Sequence, residues 1–232
     1  EENNMKINFM TGDITKVAGR FDVIVNAANN TLLGGGGVDG AIHKAAGPGL
    51  LEECKTLGEC ETGSAKITKA YNIPCKGIIH TVGPKYTEDP VNAPILLFLA
   101  YINSIDVAVT NGYKKIAFPS ISTGIYKYPV EEAAQIAKRA AYFMGEKHPD
   151  LELTWVLFTE EDYSTYTRIF FHNSRLSEGG KIMWKRRETV TETERCKIVE
   201  IADKYEVPMR DVTSEFQSEM SFDDINYHLK KE

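Results

Sequence analysis

The stretch with the clearest chemical content runs Val25-Asn26-Ala27-Ala28-Asn29-Asn30-Thr31-Leu32-Leu33-Gly34-Gly35-Gly36-Gly37-Val38-Asp39-Gly40-Ala41-Ile42. An apolar strand pattern ends in asparagines, four glycines follow, and a helical pattern begins. Consecutive glycines let the backbone come close to a ligand with its N–H groups turned outward. The helix N-terminus adds partial positive charge. Together they make an anion cradle suited to phosphate. Its positive field comes from the main chain, which fits a chain of net charge −6. A Walker loop would end in Gly-Lys-Ser/Thr, and Gly37-Val38-Asp39 does not. Gly35-x-Gly37-x-x-Gly40 spells the dinucleotide fingerprint. That fingerprint follows its strand directly, however, whereas Gly34 lies nine residues beyond Val25. A plain flexible turn is the bland alternative. A phosphate loop of another kind is the reading taken forward.

A second loop, Phe118-Pro119-Ser120-Ile121-Ser122-Thr123-Gly124-Ile125-Tyr126, also follows a strand pattern and precedes a helix. It offers hydroxyl and backbone donors at a strand's carboxyl end, where open α/β sheets bind ligands. Two such loops at one sheet edge imply two linked phosphates. Other reactive side chains have simpler explanations. His80 sits inside an apolar strand run and reads as a satisfied core histidine. Cys54 and Cys75 read as packing. Glu160-Glu161-Asp162 reads as the acidic start of a helix. Neither the five histidines nor the four cysteines show zinc spacing, so no metal is expected.

The elements that must position these loops alternate along the chain. Strand patterns occur at Lys6–Met10, Asp22–Val25, Ala65–Ala70, Gly77–Thr81, Lys115–Pro119 and Thr154–Phe158. Helix patterns occur at about Val38–Ala46, Leu50–Leu57, Ala93–Asn111, Val130–Glu146 and Glu161–Phe171. Asp22–Val25 and Gly77–His80 are continuous apolar runs, as strands covered on both faces tend to be. The alternation predicts a mostly parallel sheet between helix layers over residues 1–171. Residues 172–190 read as a polar linker or strap. Residues 191–232 read as a small C-terminal helical extension, opened by the capping box Thr191–Glu194. Within it, Glu200–Pro208 superficially suggests a helix-turn-helix. Its second helix would carry Asp211, Glu215 and Glu219 against Arg210 alone, which disfavours DNA reading.

Hydrophobic content of 42% and charged content of 26% exclude wholesale disorder and coiled coil. The acidic balance argues against a general grip on nucleic acid. The longest apolar stretch, Ile95–Val109, is broken by Asn103 and Asp106, so no membrane span is expected. The start, Glu1-Glu2-Asn3-Asn4, lacks signal-peptide character. A reduced, cytoplasmic monomer is the expectation.

Six segments in order resemble the macrodomain family, specifically its MacroD-type branch. They are Gly12-Asp13-Ile14-Thr15, Val25 to Asn29, Leu33 to Ile42, Ile79-His80-Thr81-Val82-Gly83-Pro84, Pro119 to Tyr126, and Val156-Leu157-Phe158. The resemblance covers roughly residues 5–171. It implies a three-layer α/β/α fold with a central mixed, mostly parallel sheet. It further implies ADP-ribose as ligand, with no cofactor. The implied activity removes mono-ADP-ribose from acidic side chains of modified proteins and deacetylates O-acetyl-ADP-ribose. A non-catalytic reader of ADP-ribose is the alternative, and a nicotinamide-dependent oxidoreductase is disfavoured by the loop spacing.

By the same resemblance, Asp13 and the Ile14 backbone would take the adenine amino group, and Phe158 would stack on adenine. The bland alternatives are a helix cap for Asp13 and a core strand position for Phe158. Gly36, Gly37 and Val38 would hold one side of the diphosphate, and Ser122, Thr123, Gly124 and Ile125 the other. Asn26 belongs to the implied ligand set. Asn29, Asp39 and Tyr126 would serve the distal ribose, where the scissile bond lies. A water held near the Gly-rich loop would attack there, with Asp39 orienting the ribose or assisting proton transfer. One departure stands out: Lys127 occupies the position of a usual glycine in Gly124-Ile125-Tyr126-Lys127-Tyr128-Pro129. If that position needs a positive φ, Lys is strained there; alternatively its ammonium could lean toward phosphate or a modified protein.

Overall fold

The computed structural model describes residues 5–171. The expected strap at 172–190 and helical extension at 191–232 lie outside the described residues. Six strands form one sheet: β1 (Lys6–Thr11), β2 (Val23–Ala27), β3 (Ala65–Thr68), β4 (Gly77–Thr81), β5 (Lys115–Phe118) and β6 (Glu152–Leu157). Their order is β1-β6-β5-β2-β4-β3. Every neighbouring pair is parallel except β3 with β4. The mixed, mostly parallel sheet expected from the sequence is therefore the one observed.

Six helices cover it: α1 (Ile14–Val17), α2 (Gly37–Ala46), α3 (Pro48–Leu57), α4 (Ala93–Thr110), α5 (Val130–Lys147) and α6 (Glu160–Phe171). Helix α2 contacts α1 and α3, and helix α5 contacts α4 and α6. The two sets form the outer layers. The one-turn α1 and the 3-10 turn after it, Ala18–Arg20, were not expected from periodicity. Four residues are too few to show a 3.6-residue repeat. Strand β3 ends at Thr68, two residues short of the pattern, and β6 ends at Leu157, before Phe158.

Side chains alternate between the two layers. Ile24, Ile78, Ala117 and Val156 join Ile42, Leu50 and Cys54 in the core under α1 to α3. On the other face, Trp155 and Phe118 stack at 5.3 Å and meet Tyr101 of α4 and Phe170 of α6. Helix α4 is apolar and long enough by composition to cross a membrane. Here its apolar surface packs inside the fold, with Leu97, Leu99, Ala100, Tyr101 and Ile102 all buried.

At the amino ends of the central strands, Asp22 ties three chain segments together. Its carboxylate accepts N–H bonds from Lys114 and Lys115 at 3.0 and 2.9 Å, and meets Lys76 Nζ at 2.6 Å. Burial alone would raise its pKa. The Lys76 ammonium and the two backbone donors outweigh burial and hold it at about 2, below the ordinary 3.8. The stability it contributes is present above pH 3.8 and lost as pH falls toward 2. Asp22→Ala is expected to lower the unfolding free energy by roughly 2 kcal/mol at neutral pH. Denaturant titrations in acid should show that gap closing below about pH 4.

Candidate active site

All five parallel strands end on the same side of the sheet. A cavity of about 690 Å³ lies across those ends. Gly12 to Ile14 contribute from beyond β1, Phe158 and Thr159 from beyond β6, and Pro119 to Tyr126 from beyond β5. Ala28, Asn29 and Gly35 to Asp39 contribute from beyond β2, and Gly83 from beyond β4. With neighbouring strands about 4.8 Å apart, five strand ends span roughly 19 Å. The shape is a long trough, suited to an elongated ligand.

The trough opens where β2 and β5 part. They pair only at Val23↔Ile116 and Ile24↔Ala117, although β2 runs on to Ala27. The chain after β2 goes to α2 in one helix layer, and the chain after β5 goes to α5 in the other. Such a switch point leaves a crevice at the strands' carboxyl ends. The two expected loops form its walls and touch. A Cβ on Gly36 would stand 3.1 Å from Ile125 Cδ1. Ile125 is 69% exposed, so this isoleucine bridges the mouth.

Two glycines of the first loop take backbone conformations that favour glycine. Gly34 and Gly37 have φ of +92° and +60°. Gly36 is the N-cap of α2 and supplies no side-chain cap. Backbone N–H groups at the start of a ten-residue helix therefore line the trough, where anions are favoured. The second loop is braced from behind. Ser120 Oγ meets Tyr166 Oη at 2.7 Å, and Thr123 Oγ1 donates to Ser120 Oγ at 2.8 Å. Tyr166 and Ser120 thus hold Thr123 at the trough, a support that spacing in the sequence could not reveal. Among the described residues, none that lines the trough is Lys or Arg, while Asp13, Asp39 and Asp162 do line it.

Asp39 lies in the first turn of α2 and is buried. Asn26 Nδ2 donates to its Oδ1 at 2.7 Å. His43 Nε2, one turn along the helix, stands 3.5 Å from the same oxygen. Burial pushes the Asp39 pKa up, against the opposing effects of the Asn26 hydrogen bond and His43. A Cβ on Gly35 would fall 3.0 Å from Asp39 Oδ2 and 3.2 Å from Asn29 Nδ2. Asp39 and Asn29 thus face each other across a glycine backbone.

Asn26 departs from its expected place, while Asn29 and Asp13 line the trough and also shape their own loops. Asn26 does not line the trough. It is fully buried beneath it, and its amide nitrogen reaches Asp39 and also His80 Nδ1 at 3.1 Å. Its carbonyl oxygen has no partner in the protein. Leaving a buried carbonyl unpaired costs about 1–3 kcal/mol. Asn29 uses its carbonyl oxygen on Thr31 N and Oγ1, at 3.1 and 2.6 Å, and donates to Gly34 O at 2.9 Å. It shapes the loop as well as lining the trough. Asp13 is the N-cap of α1, with Oδ1 accepting from Thr15 N and Oγ1 at 2.9 and 2.7 Å. Asp13 thus caps α1 and also lines the trough.

Phe158 is 82% exposed at the trough's β6 end, so it is no core strand residue. Tyr126 stands at the other end, with Lys85 Nζ 6.0 Å from its ring. Sequence reading missed Gly83, Thr159 and Asp162 in the lining. Thr159 caps α6 through Asp162 N at 3.1 Å. A glycine in Ile79-His80-Thr81-Val82-Gly83 was the only available signal for that position. A methyl at Gly83 would land on Ser122 Oγ and within 2.6 Å of Ile121 Cγ2.

Residues 25–137 match the family described as Macro domain. An O-acetyl-ADP-ribose deacetylase of Escherichia fergusonii is 49% identical over 169 residues, covering 71% of this chain and 94% of that protein. The solved Oceanobacillus iheyensis macrodomain with ADP is 42% identical, with a TM-score of 0.69 over 73% of this chain and 92% of that one. The Trypanosoma brucei macrodomain in complex with ADP-ribose is 40% identical, with a TM-score of 0.64 over 70% and 68% of the two chains.

The doubt about Lys127 resolves into strain. Its φ is +58°, its side chain is exposed, and its N–H donates to Gly124 O at 3.1 Å. A left-handed backbone costs an L-residue roughly 1–2 kcal/mol, partly offset in a glycine variant by unfolded-chain entropy. Lys127→Gly should therefore raise stability by about 0.5 kcal/mol in urea titrations. A drop instead would mean that the lysine side chain compensates for its backbone.

Proposed function

The chain belongs to the macro domain family, and on that premise we propose that it is a hydrolase of ADP-ribose esters. Its substrates are O-acetyl-ADP-ribose and mono-ADP-ribose attached to protein carboxylates. The observation that carries this reading is a buried carboxylate, Asp39, set into the same trough as two backbone-lined loops. The similarity to an O-acetyl-ADP-ribose deacetylase supports the ligand and the reaction class. So does the likeness to macrodomains solved with ADP and ADP-ribose.

The trough's own order suggests the pose. The adenine end lies over β1 and β6, with Asp13 as acceptor for an exocyclic amine and Phe158 as a stacking face. The diphosphate lies over the β5–β2 crevice, between Gly36–Val38 and Ser122–Ile125. The distal ribose then reaches Asn29, Asp39 and Tyr126. No basic side chain is needed, because helix dipole and main-chain donors meet the charge.

Hydrolysis of an acyl linkage at C1″ follows from that placement. Water attacks C1″ as the C1″–O bond breaks and positive charge builds on the ribose. The acid leaves as its carboxylate, which needs no proton. The water's proton goes to Asp39 and then to solvent. Burial makes Asp39 a better base than an exposed aspartate at neutral pH. For an acetyl ester elsewhere on the ribose, the same water adds to the carbonyl carbon. Asp39 then returns its proton to the departing ribose oxygen.

Asp39→Ala should keep ADP-ribose affinity by calorimetry while losing roughly 100-fold or more in turnover of O-acetyl-ADP-ribose and of mono-ADP-ribosylated protein. Wild-type protein that binds ADP-ribose but releases nothing would make this chain a reader. The acid limb of the wild-type rate profile should fall above the ordinary aspartate range, because the catalytic form is the carboxylate and burial raises its pKa. Gly83→Ala should weaken ADP-ribose binding at least about tenfold by pushing Ser122 and Ile121 toward the trough. Unchanged affinity would remove the second loop from the diphosphate site.

A further inference from the structure

A row of buried polar side chains runs beneath the trough across three strands. Thr68 on β3, His80 on β4 and Asn26 on β2 share the sheet face that carries Ile24 and Ile78. The register places them there: Asn26 is the cross-strand partner of His80, and Thr68 is the partner of Ile78. His80 is completely buried, and burial, followed by the nearby His43, lowers its pKa to about 3. His80 Nε2 meets Thr68 Oγ1 at 2.9 Å, with Cys54 Sγ at 3.9 Å. His80 Nδ1 meets Asn26 Nδ2 at 3.1 Å, and the same nitrogen reaches Asp39 Oδ1 at 2.7 Å.

We infer that His80 is a positioning residue for Asp39, acting through Asn26 with its tautomer set by Thr68. This deepens the reading of Asp39 given above and rests on it. An asparagine side chain has a donor end and an acceptor end of nearly the same shape. Asp39 needs the donor end, and so does an unprotonated His80 Nδ1. Thr68 Oγ1 supplies the reason that Nδ1 carries no proton. Ile78 O, 3.5 Å from Thr68 Oγ1, offers an acceptor for its hydroxyl, and a lone pair is then left to accept from His80 Nε2–H. In the opposite tautomer, Nδ1–H would attract the Asn26 carbonyl oxygen, which at present has no partner. That oxygen would then face the Asp39 carboxylate and remove its hydrogen bond. The histidine takes no part in the chemistry; it decides which end of the amide the carboxylate meets.

The test has two independent arms. Long-range proton–nitrogen spectra of the labelled wild type should show His80 neutral with its proton on Nε2. A proton on Nδ1, or a charged ring at neutral pH, overturns the inference. Thr68→Val should lower kcat on O-acetyl-ADP-ribose roughly tenfold while KM and ADP-ribose affinity stay within about twofold. Thr68→Ser, which restores the acceptor, should bring kcat back. A T68V enzyme with wild-type kcat, or an equal loss in the serine variant, overturns it. If T68V does not fold, the wild-type spectrum and the serine variant decide. If the wild type hydrolyses nothing, the hydrolase reading fails while the spectrum still judges the tautomer.

Discussion

Hydrogen bonding between β2 and β5 stops at Ile24 and Ala117, and the site depends on that break. Val25 and Phe118, just past the last pair, are buried and apolar, so pairing could have continued. Their following segments instead go to opposite helix layers, which pulls the strand ends apart. Backbone groups beyond the break have no partner across β2 and β5. In most folds such groups would be a liability. Here a glycine N-cap and the Ser122–Ile125 turn aim them into one trough. Anion capacity is thus a by-product of topology, and the chain needs no local excess of positive charge to have it.

The electrostatics follow from the same choice. The trough is lined by three aspartates and, among the described residues, by no Lys or Arg. A lysine beside Asp39 would lower its pKa and weaken it as a base. Backbone dipoles can meet a diphosphate without neutralising a carboxylate a few ångströms away, because they fade within about one helical turn. Asp39 keeps its raised pKa while sitting in the first turn of α2, where a helix dipole alone would have lowered it. Burial wins there. A carboxylate in this position needs a fixed donor to stay in place, and Asn26 is that donor.

Much of this could be read in the residues. Continuous β-branched runs marked the buried strands, and the spacing of four glycines before Val38 marked the first loop. Ser-Thr-Gly after Phe118 marked the second. What could not be read depends on register and on chain ends. Asn26 and Asn29 look alike in sequence, yet one points into the core and the other lines the trough. Only the alternation fixed by pairing β2 with β4 separates them. His80 was legible as a core histidine and illegible as Asn26's neighbour for the same reason. Phe158 differs from a core phenylalanine only because β6 ends one residue earlier. Gly83 carries meaning only once Ser122 is seen against it.

Backbone strain follows the same map. Among non-glycine residues described, positive φ occurs at Leu32, Tyr71, Ser122 and Lys127. Three of these four flank the trough's loops. Leu32 is buried, so its packing holds a conformation that its backbone resists. Ser122 is buried against Gly83 and accepts from Tyr128 N at 3.0 Å, which locks the second loop's turn. Of the three beside the trough's loops, Lys127 alone is exposed. Its strain must be carried by its neighbours, the Tyr128 amide and the Gly124 carbonyl, which close the turn on either side. The second loop of the trough is therefore held with strained residues at both of its ends. A loop so constrained can lose little further freedom when a ligand binds, and that retained entropy favours binding.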